Sequence, residues 1–119
     1  MGMGIHRTVR PLILSMGMLV AVSARAETMT GEVIDLSCYL HHPATSHGST
    51  HRKCAETCAK KGLPMGLLGG DGSVVLLLED HGNPKAYADA LAKAAETITV
   101  DGDKVTQGGL TGIVVEEVK

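Results

Sequence analysis

Apolar residues recur in alternating or short continuous runs through the last three quarters of the chain, and this pattern predicts β-strands. The runs cover residues 28–36, 65–68, 73–79, 97–100 and 110–118. Glycine and aspartate cluster between them at residues 69–72 and 101–103, and two glycines follow at 108–109, which indicates turns. The pattern is that of a small, mainly β domain.

Two further segments carry the signals of helices. Serine and threonine precede residues 51–61, and glycine and proline follow them, as is typical of a helix with a capped start and a defined end. Asn83 followed by Pro84 predicts the start of a second helix over residues 84–95. Residues 37–50, which precede the first helix, have the composition of a loop.

The resulting order is strand, helix, strand, strand, helix, strand, strand. A glycine-punctuated barrel with a helix between its third and fourth strands is typical of the OB-fold, so we expect a five-stranded OB-like barrel with two helices. The alternative with the same elements is a small α+β sandwich. The first helix should pack on the barrel through Cys54, Ala55 and Cys58. The predicted core residues are Leu36, Leu68, Val75, Leu77, Ile98, Val100, Ile113 and Val115.

The first 26 residues have the pattern of an export signal. A basic start is followed by an apolar run at residues 11–22, which is too short to span a bilayer, and by Ala24-Arg25-Ala26, which suits signal peptidase. We therefore expect cleavage before Glu27 and a single periplasmic or secreted domain, residues 27–119, without a membrane span. An uncleaved membrane anchor is the competing interpretation.

Charge and composition exclude several classes of function. Three of the eleven Lys and Arg residues precede Glu27, so the remainder carries eight against thirteen acidic residues, a net charge of −5. An acidic domain with no Trp, no Phe and two Tyr has neither the charge nor the stacking platforms for nucleic acid. No dinucleotide, phosphate-loop or serine-hydrolase motif occurs, and no carboxylate is evidently paired with a base or nucleophile. We expect a protein that is not an enzyme.

The strongest chemical signal is a group of cysteines and histidines within 21 residues: Cys38, His41, His42, His47, His51, Cys54 and Cys58. On a helix, His51, Cys54 and Cys58 lie on one face, and a barrel can bring the end of the first strand beneath them. Thiolate and imidazole are the ligands that hold Zn²⁺ or Cu(I). The predicted metal ligands are Cys38, His51, Cys54 and Cys58, with His47 or His41 as a replacement from the loop.

Two other interpretations of these cysteines stay open. In an exported protein, Cys38 can form a disulfide with Cys54 or Cys58, which would tie the loop to the barrel. Cys54 and Cys58 suit each other poorly, because adjacent helical turns hold their side chains in parallel. One thiol would remain free, and a redox-active thiol is the third interpretation.

Three segments resemble a group of small exported bacterial proteins that are uncharacterised. The segments are TGEVIDLSCY (30–39), HxxCAxxCA (51–59) and GLPMGLL (62–68), and the resemblance extends over about residues 28–118. It implies an OB-like fold and a shared pattern that includes Cys38, His51, Cys54 and Cys58, but no established activity. His41, His42 and His47 match no shared motif.

These observations lead to two functional hypotheses. The first is an exported, non-catalytic protein that carries or senses copper or zinc; the absence of a CxxCH motif excludes covalent c-type haem. The second is a disulfide-stapled binding module that holds a periplasmic protein or a small ligand without any metal.

Overall fold

The protein is described by a computed structural model that covers residues 2–4, 9, 11–13, 17–18 and 26–119. The predicted export signal, residues 1–26, falls mostly outside this described part. Within it, no helix combines the length and the apolar character needed to cross a membrane.

Five strands and three α-helices follow one another along residues 27–118. The strands are β1 (Glu27–Asp35), β2 (Met65–Leu68), β3 (Val74–Glu79), β4 (Thr97–Gln107) and β5 (Leu110–Val118). The helices are α1 (Leu36–His41), α2 (Arg52–Lys60) and α3 (Pro84–Leu91), and a 3-10 helix at Ser49–His51 leads into α2.

The strands close into a barrel in the order β1-β2-β3-β5-β4, with β1 and β4 paired. All neighbours are antiparallel except β3 and β5, which run parallel. A parallel pair needs a long crossover, and α3 together with β4 provides it. The predicted five-stranded OB-like barrel is confirmed, with α3 between the third and fourth strands and α2 between the first and second.

The barrel core is built from aliphatic side chains that point inward from every strand. Seven of the eight predicted core residues are buried: Leu36, Val75, Leu77, Ile98, Val100, Ile113 and Val115. The prediction is wrong for Leu68, which is only partly buried, because alternation along β2 turns Met65 and Leu67 inward instead. Val33 of β1 completes the same cluster.

Three local predictions are wrong. Residues 37–50 are not only a loop, since Leu36–His41 forms α1. The second helix ends at Leu91 rather than at residue 95, where Ala95 adopts a positive φ of 65°. The turn predicted at residues 101–103 is instead a β-bulge inside β4, at Asp101/Gly102. A side chain at Gly102 would collide with the Val114 carbonyl, so this glycine permits close strand contact rather than a turn.

Candidate metal centre

The candidate site lies where β1 leaves the barrel and enters α1. Asp35 is the last residue of β1, where it pairs with Met65 at the start of β2. Its carboxylate Oδ1 accepts a hydrogen bond of 2.8 Å from the backbone N–H of Cys38, so Asp35 caps α1. The cap fixes Cys38 in the first turn of α1, directly above the end of the barrel.

Helix α2 brings the other two thiols to the same place. Ala55 and Cys58 face the barrel and are buried, which confirms the packing predicted for these two residues. Cys54 is exposed, so the prediction that it packs on the barrel is wrong. It lies one turn before Cys58, at the edge of the contact face, where its sulfur meets Cys38 rather than the barrel core.

The three sulfurs form a compact group. Cys38 Sγ and Cys54 Sγ are 3.8 Å apart, and the sulfur of Cys58 lies within 4.8 Å of both. All three cysteines are free thiols. Three convergent thiols on two helices can hold one metal ion.

A second group adjoins the first and shares Cys38 with it. Asp35, Cys38 and His51 place their ligand atoms within 4.8 Å of one another. His51 Nε2 and Asp35 Oδ2 are 2.7 Å apart, and the Asp35 side chain is completely buried. Both carboxylate oxygens therefore have partners, which is what a buried carboxylate requires.

Asp35 is the residue of this site that sequence reasoning missed. The sequence made no pairing of a carboxylate with a base evident, and the structure pairs Asp35 with His51 across 16 positions of sequence. The local signal was present: an aspartate three residues before Cys38, at the end of a strand, is a pattern typical of a helix cap. The sequence around its partner, His51, carried no signal that would have predicted the contact.

Burial and hydrogen bonding shift the titration of the group. Burial raises the pKa of the Asp35 carboxyl, but the contacts with the side chain and backbone of Cys38 and with His51 outweigh it, so the pKa lies below its usual value. The Asp35 carboxylate, then burial and the Cys54 thiol, raise the pKa of the Cys38 thiol to about 12. Burial, followed by the charges of Asp35 and Cys54, also raises the pKa of Cys58. Without a metal cation, Cys38 and Cys58 keep their protons at neutral pH.

The loop histidines lie outside both groups. The rings of His41 and His42 are 6.1 Å apart at the end of α1, and both residues are exposed. His47 is also exposed, next to Gly48, whose backbone N–H donates to Glu32 Oε2 at 2.7 Å. The structure thus places Cys38, Cys54 and Cys58 in one group and Asp35, Cys38 and His51 in another. His41 and His47 stay predictions as replacement ligands.

The fold and the site together define a small OB-like barrel with a Cys/His/Asp group that could hold a metal ion. No family model matches the chain, and neither the curated proteins nor the solved structures contain a match. The resemblance to the small exported bacterial proteins stays a prediction.

Proposed function

We propose that this protein is an exported, non-catalytic metal carrier or sensor that binds Cu(I) or Zn²⁺ through Cys38, Cys54, Cys58 and His51. The observation that carries the proposal is the convergence of three free thiols from α1 and α2. Chemically, this donor set is soft, which favours copper and zinc over the hard cations magnesium and calcium.

The sulfur spacing supports ligation of one ion. A tetrahedral site with zinc–sulfur bonds of about 2.3 Å has sulfur–sulfur edges of about 3.8 Å. The separation of Cys38 Sγ and Cys54 Sγ in this structure is 3.8 Å. A disulfide needs about 2.05 Å between the two sulfurs, so the thiols stand at the spacing of metal ligands.

His51 supplies the fourth donor, and Asp35 orients it. The Nε2 atom of His51 is engaged by the buried Asp35 carboxylate, so a metal would use Nδ1. Within 4.8 Å, His51 is grouped with Cys38 but not with Cys54 or Cys58, so its ring must move toward the thiols to complete a four-ligand site. A histidine ligand held by a carboxylate through its other nitrogen is the usual arrangement around protein-bound zinc. In this reading Asp35 is a supporting residue rather than a ligand.

Metal stoichiometry tests the proposal. The protein obtained from the full chain, reduced and kept anaerobic, should bind about one equivalent of Cu(I) or Zn²⁺ per chain by elemental analysis. Cys54→Ser should greatly weaken this binding, since it removes one thiolate ligand without disturbing the core. His81→Ala is the matched control, because His81 is an exposed histidine on the loop between β3 and α3. Reduced protein that has three reactive thiols and binds neither metal would refute the proposal.

His51→Ala distinguishes the two metals. Three thiolates complete a trigonal Cu(I) site, whereas zinc needs a fourth protein ligand in a closed site. The substitution should therefore weaken the binding of zinc much more than the binding of copper, as measured by competition with a chelator. His47→Ala and His41→Ala, made alongside, test the replacement ligands and should have smaller effects than His51→Ala.

Export is the part of the proposal that the site does not address. Its support is the basic start, the apolar run and the Ala24-Arg25-Ala26 sequence. Mass spectrometry of the protein from a periplasmic extract or culture medium should give a chain that begins at Glu27. A chain that retains residues 1–26 in the membrane fraction would favour the anchor instead.

A further inference from the structure

The three thiols differ sharply in their access to solvent. Cys54 is exposed on α2, Cys38 is half-buried in the first turn of α1, and Cys58 is 8% exposed within the hydrophobic core. An exposed thiol in contact with a more protected one is the arrangement that thiol–disulfide exchange uses. The first thiol meets the incoming disulfide, and the second resolves the mixed disulfide.

Cys38 and Cys54 are the pair best placed to form a disulfide, because their sulfurs are in contact and neither side chain is held in the core. Cys54 and Cys58 are four residues apart on α2, where Cβ atoms lie about 5–6 Å apart, too far for a disulfide. Cys38 and Cys54 approach from two different helices and are already in contact at 3.8 Å. Bond formation requires the sulfurs to move about 1.8 Å closer, which a side chain at an exposed position can do.

We propose that Cys54 and Cys38 form a redox-active dithiol that exchanges with disulfide bonds, with Cys54 as the attacking thiol and Cys38 as the resolving thiol. This activity goes beyond metal binding and requires the metal-free protein, because a bound ion would occupy the same sulfurs.

The exchange balances with a disulfide R–S–S–R as the only other reactant. The Cys54 thiolate attacks one sulfur, the S–S bond of the partner breaks, and a Cys54–S–S–R mixed disulfide forms with release of the first RS⁻. Cys38 then attacks Cys54 Sγ and releases the second RS⁻. The partner disulfide is reduced by two electrons, the two cysteines are oxidised, and their two protons end on the two R–SH products.

Cys58 takes no part in this exchange. Its sulfur lies within reach of the pair, but its side chain packs in the core with Ala55 and Met65. It should remain the single free thiol of the oxidised protein, so exchange leaves a defined product rather than a mixture of pairings.

The test uses the reduced protein obtained from the full chain, treated with a metal chelator and then mixed with glutathione disulfide. We expect a loss of two mass units and one remaining thiol. Cleavage by trypsin together with a glutamate-specific protease separates Cys54 from Cys58 after Glu56. The digest should then contain the Cys38 peptide joined to the Cys54 peptide, with the Cys58 peptide free. A parallel reaction with insulin distinguishes protein disulfides from small ones as the preferred reactant.

Three variants make the order of steps measurable. Cys38→Ser should accumulate a persistent Cys54–glutathione adduct, because the resolving thiol is gone. Cys54→Ser should lose formation of the intramolecular disulfide, and Cys58→Ala should retain it. The inference is overturned if the unaltered protein forms no disulfide with either reactant, if the digest joins Cys58 instead, or if Cys38→Ser traps no adduct at Cys54.

The outcome is separable from that of metal binding. A protein that exchanges disulfides but binds neither copper nor zinc retains this inference and refutes the proposed function. A protein that binds metal through its three thiols but fails the exchange experiment refutes this inference and retains the proposed function.

Discussion

Strand β1 reaches both ends of the barrel, and the polar groups are buried at one end and exposed at the other. At the end of β1, Asp35 is buried and both of its oxygens are engaged by protein partners. At the start of β1, about 26 Å away along the strand, an open cleft of about 580 Å³ is lined by Glu27, Asp71, Lys104 and hydroxyl side chains. Those charges are exposed, and Lys104 and Glu27 approach only to 4.0 Å.

The difference shows at which end of the barrel polar contacts contribute most to stability. A buried carboxylate must be matched by fixed donors, so its neighbours are held in one geometry. Exposed charges in an open cleft are solvated, and each contributes little to stability. Cys38 and His51 are therefore held against Asp35, whereas the carboxylate of Asp71 in the cleft has an exposed partner, Ser73.

The largest effect should come from removing Asp35. Asp35→Ala deletes the cap of α1 and leaves the Cys38 N–H and the His51 ring without their buried acceptor. We expect unfolding in urea to show a loss of about 2–4 kcal/mol. Asp71→Ala in the cleft is the matched control and should cost less than about 1 kcal/mol, since its contacts are with Ser73 at an exposed turn. Equal losses at the two ends would contradict the comparison.

An overpacking substitution tests whether the helix contact holds the thiols in place. Ala55 is 1% exposed between α2 and the barrel, so Ala55→Leu should push the helix outward and cost about 1–3 kcal/mol. Ala88→Leu, at an exposed position of α3, should change stability by less than about 0.5 kcal/mol. Metal affinity, measured by chelator competition, should fall only for Ala55→Leu. Unchanged affinity in that variant would show that the thiols do not depend on this contact.

Metal binding should strengthen as pH rises. The pKa of Cys38 is raised to about 12 and that of Cys58 is also raised, so both thiols carry protons at neutral pH. Both must release these protons to the solvent when a metal binds. For each proton released on binding, the apparent affinity for the metal should rise about tenfold per pH unit. Competition titrations between pH 6 and 7.5 measure the slope, and proton release into a weak buffer provides a second reading. A flat profile would exclude thiolate ligation.

The smallest effect should follow a change at the cleft. Thr28→Val removes the hydrogen bond of 2.6 Å from Thr28 Oγ1 to Asp101 Oδ1, which is exposed to solvent. We expect a loss of no more than about 1 kcal/mol and no change in metal affinity or thiol reactivity. A measurable change in metal affinity would show that the two ends are coupled through β1.

Much of the barrel followed from local patterns. Period-2 alternation predicted the strands, and Asn83-Pro84 predicted the start of α3, because these signals act within a few residues. The inward positions Val75 and Leu77 were correct for the same reason. The choice of Leu68 over Leu67 was wrong by one residue, and a shift of one position in a strand exchanges the two faces.

The sequence by itself determined which chemistry the protein carries, since every cysteine and most histidines fall within 21 residues. Only the tertiary structure decided which of these residues meet and how exposed each one is. Asp35 joins the site because β1 ends beneath α2, and Cys54 is exposed because α2 turns it to the edge of its contact face. Gly102 lies inside β4 because the Val114 backbone approaches it from β5. Contacts between distant segments decide these outcomes, and the type of a residue alone does not predict such contacts.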